Sequence, residues 1–432
     1  MRRAGSLTAV VSDRYEDKGK AARTHPSRFD EEVVIIGGGL QGVTAALALA
    51  ARGVRSRILE SRSELLRGAS YRNEGKVHLG FVYALDESGV TARKMVEGAL
   101  TFSDLIEGWC SEVDWHSNCS EGFDYCVVDS GLADATALGA HYEQVSSMIE
   151  NASGALGDNY LGSSARVEPV RHRGSHALLA PGLSSDWFST PERSVDPRAL
   201  CAWLSAAATA SPLVDVSTGV VVKGVVPIAS GFALETVSGA GLERIEAETV
   251  LNCSWENRLE LDRQALGKAP SACYRIKHQV LARGETEVDL APLTLVQGPY
   301  GDLVSWPNGD VYVSWYPVAR TFMGSSPSVG TEPDRDVAEA TLEGLAAIVP
   351  ALQGLEVVDH GAAWIVGEGE ADIDETSSGL HARRAAEIDR QGGWWSLNGG
   401  KLTTAPLASE LCVAELTGTE PKVATLESGL PR

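Results

Sequence analysis

The chain has 432 residues, of which 44% are hydrophobic and 22% are charged, so it is too apolar for a disordered protein and long enough for two or more domains. Its formal net charge of −21 argues against nucleic acid or an anionic membrane as a partner, because the protein repels both. The seven scattered cysteines form no Cys-x-x-Cys pair, no histidine cluster has metal-ligand spacing, and no apolar run could span a membrane, which favours a cytoplasmic protein without a metal site that acts on a small molecule.

The amino-terminal part of the chain predicts an extension followed by a β-α-β unit. Residues 1–29 contain many basic and few large apolar side chains, and we expect a flexible extension there. The apolar run 33–36 predicts a buried strand, the Ala- and Leu-rich segment after it predicts a helix to about Arg52, and residues 56–60 predict a second strand. This order is typical of the start of an α/β domain.

Three glycines lie between the first strand and the first helix with the spacing Gly37-x-Gly39-x-x-Gly42. Gly37 permits a tight turn, Gly39 lets the backbone approach a pyrophosphate, and Gly42 lets the helix pack on the strand. The helix N-terminus then offers free N–H groups to the anion, and Glu60 ends the second strand, where it can bind a ribose diol. The pattern predicts a dinucleotide site, for either FAD or NAD, rather than a turn that binds nothing.

The rest of the chain mixes strand and helix patterns. Alternating or β-rich segments predict strands at residues 125–128, 214–226, 231–236, 274–282 and 310–316. Helical periodicity predicts helices at residues 90–109, 134–150, 197–210 and 336–348. The mixture indicates a second domain built on an antiparallel sheet. Near the carboxyl terminus, residues 392–397 predict a strand, and Gly399-Gly400-Lys401 leads into a helix predicted from about Leu402 to Leu416.

Three further segments, read with the glycine fingerprint, carry a resemblance to a known family. Residues 68–83 read GASYRNEGKVHLGFVY and place His78 and Gly80 on a His-x-Gly motif, and residues 399–404 read GGKLTT. Residues 250–255 read VLNCSW, with Ser254 where the family usually has glycine. Together they resemble the FAD-dependent oxidoreductases of the D-amino-acid oxidase superfamily. The resemblance implies an α/β fold, α+β overall, with a Rossmann-like FAD-binding domain and an inserted antiparallel-sheet substrate domain.

The resemblance also implies domain boundaries and cofactor contacts. The FAD-binding domain would comprise residues 30–110, 190–262 and 357–432, and the substrate domain residues 111–189 and 263–356. FAD would be non-covalent, because the segment around His78 lacks the Trp-His context of relatives that attach the cofactor. The residues implied for FAD binding are Gly37, Gly39, Leu40, Gln41, Gly42, Glu60, Ser61, Ser70, Arg72, Asn73, His78, Val222, Cys253, Gly399, Gly400, Lys401, Leu402 and Thr403.

Several side chains are candidates for catalysis and substrate binding. His78 could be a structural histidine, a base or electrostatic partner, or a cofactor attachment point. Many relatives hold a substrate carboxylate with an arginine, and Arg383 and Arg320 are the candidates here, since a guanidinium offers a bidentate fork. Lys277 could be the cation that promotes reaction of reduced flavin with oxygen. Walls of the substrate pocket are expected from Trp306 and Tyr316.

We therefore expect an enzyme that oxidises a CH–NH or CH–OH bond of a small, polar, anionic substrate by hydride transfer to flavin N5. The alternatives are an FAD-dependent monooxygenase, which normally carries a Gly-Asp motif before its last FAD helix, a non-catalytic FAD- or NAD-binding module, and an NAD-dependent dehydrogenase. The sequence leaves open the substrate, the electron acceptor and the oligomeric state.

Overall fold

The structure is a computed structural model that describes residues 32–128, 131–298, 300–383 and 388–426. The extension predicted at residues 1–29 lies outside the described residues. The strands are β1 Val33–Ile36, β2 Ser56–Glu60, β3 Lys76–Val77, β4 Asp124–Val128, β5 Val170–Arg173, β6 Ser184–Ser189, β7 Arg193–Ser194, β8 Val214–Thr218, β9 Val221–Ile228, β10 Gly231–Ser238, β11 Gly241–Ala247, β12 Val250–Asn252, β13 Ala272–Arg283, β14 Leu293–Val296, β15 Gly301–Ser305, β16 Val311–Trp315, β17 Arg320–Gly324, β18 Glu356–Glu368, β19 Ile388–Gln391 and β20 Trp394–Leu397.

The helices lie between or after groups of these strands along the chain. They are α1 Leu40–Ala50, α2 Val90–Trp109, α3 Trp115–Asn118, α4 Ala135–Leu156, α5 Pro197–Ala210, α6 Arg258–Leu266, α7 Tyr316–Ala319, α8 Arg335–Ala346 and α9 Ala405–Thr417. Short 3₁₀ turns are formed by Phe81–Tyr83, Trp255–Asn257 and Pro350–Leu352. Within the part of the chain that the structure describes, no helix is both long and apolar enough to cross a membrane.

A six-stranded sheet in the order β19-β20-β12-β1-β2-β8 forms the first layer. The strands from β20 to β8 are parallel, and β19 is the antiparallel edge. Every residue of β1 is buried. Val33 and Ile35 belong to the core cluster that includes α1, and Val34 and Ile36 belong to the cluster formed with α6 and with β9 and β10 of a three-stranded antiparallel sheet. Helices α1 and α9 lie side by side on this sheet, joined by a hydrogen bond from Gln41 Nε2 to Ser409 Oγ of 2.6 Å. The predicted α/β fold class is confirmed.

A nine-stranded, mostly antiparallel sheet faces the first layer. Its long strand β13 pairs with β16, β17 and β18. The sequence analysis predicted β13 and β16 but missed the 13-residue strand β18. Gly361, in the middle of β18, interrupts the apolar pattern because a side chain there would collide with Arg72, whose Nε lies 2.6 Å from the position of a Cβ.

Two of the predicted elements have different bounds in the structure. The strand expected over residues 214–226 is two strands, β8 and β9, which belong to different sheets. They separate at Gly219, whose φ of 68° ends the first of them. The helix expected from about Leu402 begins only at Ala405. The chain turns at Gly400, which has a left-handed φ of 63°, and the Thr404 hydroxyl donates to the Gly399 carbonyl oxygen across the turn. Residues 399–404 therefore form a turn.

A buried carboxylate joins α6 to the first sheet. Asp262, which is 4% exposed, accepts hydrogen bonds from Asn252 Nδ2 at 2.8 Å, Trp394 Nε1 at 2.9 Å and Ser396 Oγ at 2.6 Å. It also forms an ion pair with Arg258. Because its partners would be left buried and unpaired, we expect Asp262→Ala to lower the free energy of unfolding by about 3 kcal/mol.

Urea unfolding followed by tryptophan fluorescence would measure this loss. The matched control is Asp215→Ala, which removes an exposed carboxylate lying 3.6 Å from Arg57. We expect the control to change stability by less than about 0.5 kcal/mol. Equal effects of the two substitutions would contradict a stabilising role for Asp262.

Candidate functional site

A deep cleft lies between the two sheets and holds about 1710 Å³ of empty space, its open mouth included. One end is at the carboxyl end of β1, and the other lies against β13, β16 and β18 of the nine-stranded sheet. The residues nominated from the sequence that line the cleft are Gly37, Gly39, Leu40, Gln41, Glu60, Ser61, Ser70, Arg72, Asn73, His78, Val222, Cys253, Lys277, Arg383, Gly399, Gly400, Lys401 and Leu402.

The glycine fingerprint forms the tight connection between β1 and α1. Gly37 has a φ of 99°, and a Cβ on it would lie 2.6 Å from the carbonyl oxygen of Cys253. A Cβ on Gly42 would lie 1.9 Å from the carbonyl oxygen of Gly37, so Gly42 does not line the cleft but lets the helix approach the strand. The start of α1 thereby points into the cleft, where its N–H groups and dipole favour an anion.

The acidic residue at the end of β2 lies beside this turn. Glu60 Oε2 accepts a hydrogen bond from the Gly38 N–H at 2.7 Å, and Oε1 accepts one from the Arg62 N–H at 2.7 Å and one from Ser61 Oγ at 3.2 Å. These bonds hold the carboxylate at the wall of the cleft. Its oxygens retain lone pairs that can accept further hydrogen bonds from a diol.

The loop after β2 carries three nominated side chains, each with a protein partner. Ser70 Oγ accepts the Leu40 N–H at 2.8 Å and so caps α1. Asn73 donates to the carbonyl oxygen of Ala69 and accepts from the Gly75 N–H, which fixes the loop itself. Arg72 NH1 donates to Asp359 Oδ2 on β18 at 2.7 Å. Arg72 thus ties this loop to the nine-stranded sheet.

The turn at residues 399–404 forms part of the wall of the cleft beside α1. The Gln41 Oε1 atom is buried without a hydrogen-bond partner among the described residues, and it would lie 2.1 Å from a Cβ on Gly399. A larger residue at this position would displace the Gln41 side chain and press against Ala405, 3.0 Å from the Cβ. Thr403 does not line the cleft, but its Oγ1 accepts the His78 N–H at 2.8 Å and holds the turn against β3.

His78 lies between two charged side chains. Its Nδ1 is 3.0 Å from Glu192 Oε1, and its Nε2 is 3.3 Å from Lys401 Nζ. Burial, with a contribution from Lys401, lowers the pKa of His78, and Glu192 opposes this lowering. The imidazole is therefore neutral near pH 7.

Lysines and carboxylates alternate around this histidine. Lys76 Nζ donates to Asp302 Oδ1 at 3.0 Å, and Lys277 Nζ lies 3.9 Å from Glu74 Oε2. Burial opposes the charge of Glu74, but Lys277, Lys401 and Lys76 hold its pKa well below the usual range. Burial also lowers the pKa of Lys401 to about 8, although Glu74 counteracts it. This end of the cleft combines fixed charges with one lysine that titrates near neutral pH.

Arg383 lies beside the turn that carries Lys401. Its guanidinium NH1 would lie 3.8 Å from a Cβ on Gly400, and its Nε has no hydrogen-bond partner among the described residues. Burial lowers the pKa of Arg383, while the nearby Tyr83 phenol opposes the lowering. The Nε–H of this planar group is therefore an unused donor at this end of the cleft.

Three other nominated side chains lie outside the cleft lining. Arg320 is held by Asp372 at 3.0 Å and by Asp374 at 2.7 Å, so its guanidinium is already paired. Tyr316 is set behind Lys277, whose Nζ donates to its hydroxyl at 3.2 Å. Trp306 is buried against Tyr312, with ring centroids 6.4 Å apart. Arg320, Tyr316 and Trp306 remain predictions as substrate contacts.

Sequence reasoning identified Lys401, which lies beside His78, but missed Glu74, Lys76 and Glu192. Glu74 and Lys76 lie within residues 68–83, the segment that carries the family resemblance. Because they are close to His78 in the chain, the sequence could have indicated them as site residues. Glu192 carried no such signal. It lies 114 positions from His78 in a short segment before β7, and only the antiparallel pairing of β3 with β7 brings it opposite the histidine.

The donor set of the cleft fits a dinucleotide. The N-terminus of α1 and the glycine fingerprint suit the phosphates, and the carboxylate of Glu60 suits the ribose. The unpartnered amide oxygen of Gln41 can accept a hydrogen bond from the ring. Residues 32–128, 131–298, 300–383 and 388–426, which the structure describes, contain no group of three or more His, Cys, Asp or Glu side chains that could hold a metal ion.

The sequence profile of a family described as FAD-dependent oxidoreductase, DAO, matches residues 32–415. No curated protein sequence matches the chain significantly. Among solved structures, glycine oxidase from Geobacillus kaustophilus is 16% identical with a TM-score of 0.67, over 92% of this chain and 98% of that chain.

Two further solved structures show the same fold. L-proline dehydrogenase from P. horikoshii is 16% identical with a TM-score of 0.64, over 91% of this chain and 95% of that chain. L-alpha-glycerophosphate oxidase from Mycoplasma pneumoniae, solved with FAD bound, is 14% identical with a TM-score of 0.65, over 93% of this chain and 100% of that chain.

Proposed function

Because the chain belongs to the DAO family of FAD-dependent oxidoreductases, we propose that it oxidises the CH–NH bond of a small amine that also carries a carboxylate. When bound, FAD would supply a two-electron acceptor for a hydride from the substrate carbon. The observation that carries the proposal is the Arg383 guanidinium, which lies beside Lys401 and Tyr83 at the end of the cleft where His78 is also found.

The parts of the cleft would divide the work of holding FAD. The α1 N-terminus and the glycine fingerprint would bind the pyrophosphate, with Ser70 at the same helix end, and Glu60 would bind the ribose diol. Lys401, in the turn at residues 399–404, would place a positive charge beside the flavin ring. The remaining wall would come from Ser61, Arg72, Asn73, Val222, Cys253 and Leu402.

Arg383 would orient the substrate. A guanidinium can hold a carboxylate through two parallel N–H bonds, which fixes both the position and the plane of the ligand. The Tyr83 phenol next to Arg383 would close one side of this subsite. Lys277 and Tyr312 line the sheet side of the cleft, where they would exclude water from the reacting carbon.

The printed names of the similar structures favour an amine. Glycine oxidase and L-proline dehydrogenase act on carboxylate-bearing amines, as their names state. A CH–OH substrate is the second candidate, and two observations favour it: the GGKLTT turn resembles the glycerol-phosphate branch, and the chain matches a glycerophosphate oxidase at a TM-score of 0.65. Arg383 could hold a phosphate as well as a carboxylate.

A visible spectrum before and after acid precipitation tests the cofactor part of the proposal. We expect the two absorption bands of oxidised flavin in the purified protein. The colour should then move to the supernatant, because the cofactor is held by non-covalent contacts. Colour that remains with the precipitate would contradict non-covalent binding and make His78 the first position to examine by mass spectrometry. A protein that stays colourless and takes up no added FAD would contradict FAD binding.

Anaerobic bleaching of this spectrum tests the substrate class. Amines and hydroxy acids of matched size, such as glycine against glycolate and alanine against lactate, differ only in the group on the reacting carbon. We expect bleaching by members of the amine set alone. Bleaching only by hydroxy acids or glycerol phosphate would overturn the amine proposal in favour of the second candidate, and oxygen consumption that requires a reduced nicotinamide would indicate a monooxygenase.

A further inference from the structure

Glu192 is a fully buried carboxylate, 0% exposed, with three hydrogen-bond partners. Its Oε2 accepts the Leu79 N–H at 2.6 Å. Its Oε1 faces His78 Nδ1 at 3.0 Å and also accepts from the Tyr125 hydroxyl. Burial opposes its charge, but the neighbouring His78 and Lys76 and the hydrogen bond from the Tyr125 hydroxyl hold the pKa of Glu192 below the usual range. Glu192 is therefore an ionised acceptor near neutral pH.

An ionised carboxylate has no proton to give, so the proton between Glu192 and His78 belongs to the histidine. His78 must then carry its single proton on Nδ1, which leaves the lone pair of Nε2 directed at Lys401 Nζ, 3.3 Å away. An ammonium group is a donor only. The Nε2 lone pair is therefore the partner that a charged Lys401 requires, and the opposite tautomer would place two donors against each other.

We propose that Glu192 is a positioning residue that fixes the Nδ1-protonated tautomer of His78 and so holds the ammonium of Lys401 in place at the turn of residues 399–404. The inference rests on the proposed function for its effect on turnover. Its effects on the histidine and on the bound cofactor need no substrate. The charged groups that face Lys401 are Glu74, Arg383, Lys277 and Lys76, with the neutral His78 beside them. Those that face His78 are Lys401, Glu192, Lys76 and Glu74.

The substitution Glu192→Gln tests the proposal with almost no change in volume. The Leu79 N–H is a backbone donor that cannot reverse, so the amide oxygen of glutamine would turn toward it. The amide NH₂ would then face His78 Nδ1, which must become an acceptor and move its proton to Nε2. Lys401 would lose its acceptor and be met by an N–H group instead.

The tautomer can be read by ¹⁵N NMR of the holoenzyme with labelled histidine, where His78→Gln assigns the resonance. We expect Nδ1 protonated and Nε2 unprotonated in the wild-type protein, and the reverse in Glu192→Gln. A wild-type His78 with its proton on Nε2 would overturn the proposal, and this measurement does not depend on the folding of any variant. The same tautomer in the wild type and in folded Glu192→Gln would also overturn it.

The midpoint potential of bound FAD gives a second readout. In the wild type, deprotonation of Lys401 should cause a break in the plot of potential against pH near its pKa of about 8. Loss of the Nε2 acceptor disfavours the charged amine, so in Glu192→Gln the break should move about one unit to lower pH. With an active substrate, the alkaline limb of kcat/KM should move in the same direction, because the charged form is lost as pH rises through this pKa.

Tyr125→Phe is the matched control. It removes the other side-chain hydrogen bond to Glu192 Oε1 but leaves the carboxylate and its bond from His78. We expect the wild-type tautomer and an unchanged break in the potential. If Tyr125→Phe shifts both readouts as Glu192→Gln does, general damage to the buried core explains the effect and the proposal is overturned. Failure to find an oxidisable amine would count against the proposed function only.

Discussion

We expect Arg383→Leu to lower kcat/KM for the carboxylate-bearing substrate by about three orders of magnitude, or about 4 kcal/mol. The leucine keeps part of the apolar bulk but removes every N–H donor that a carboxylate could use. The loss should fall mainly on KM, because the guanidinium holds the ligand before and during the reaction. Steady-state kinetics with the substrate found by anaerobic bleaching would measure it.

Two further variants sharpen this prediction. Arg383→Lys keeps the charge but not the bidentate fork, and it should recover only part of the loss. Arg320→Leu removes the other arginine nominated from the sequence, and we expect it to cost less than about tenfold because Asp372 and Asp374 already occupy that guanidinium. A larger loss at Arg320 than at Arg383 would reverse the assignment of the substrate arginine.

We expect Gly42→Ala to abolish FAD retention and to lower the free energy of unfolding by at least about 4 kcal/mol. The added Cβ would lie 1.9 Å from the carbonyl oxygen of Gly37 and 3.2 Å from Ile35 Cγ2. Both neighbours belong to the buried strand and its turn, so neither can move without separating α1 from β1. The flavin absorbance of the purified protein and its thermal midpoint, with and without added FAD, would test this.

Gly108→Ala provides the control for the glycine substitution. Gly108 lies on the exposed face near the end of α2, and a Cβ there would meet no atom within 4 Å. Alanine should leave flavin content unchanged and raise stability by up to about 1 kcal/mol, because glycine is the weaker helix former. Retention of FAD by Gly42→Ala would show that the fingerprint turn does not limit cofactor binding.

Much of the fold could be predicted because its strongest signals are local. The apolar run of β1, the glycine spacing and the Ala- and Leu-rich α1 lie within eighteen residues of one another, and local periodicity is the signal that sequence reasoning reads well. Strand β18 was missed because Gly361 and polar residues break its pattern. The late start of α9 was missed because the left-handed φ of Gly400 is a property of the folded turn.

The residues of the candidate site also differ in whether a local sequence signal identifies them. The residues near the fingerprint and around His78 belong to continuous motifs, so they could be nominated and they line the cleft. Glu192 could not be nominated, since its partners come from β3, β4 and the segment after β3 rather than from its own neighbourhood. Arg320 shows the converse difficulty, because its suitability for a carboxylate depends on whether Asp372 reaches it first.

The order of strands in the first sheet also bears on how the protein is made. Strand β1 leaves the ribosome early, but its neighbour β12 is synthesised about two hundred residues later, and β20 and α9 later still. The sheet that contains the glycine fingerprint can therefore be completed only after nearly the whole chain has been synthesised. Non-local pairing of this kind slows folding. FAD could therefore bind only after translation has almost ended. Because FAD would bind the folded chain and not the unfolded one, a larger supply of FAD would raise the yield of folded protein.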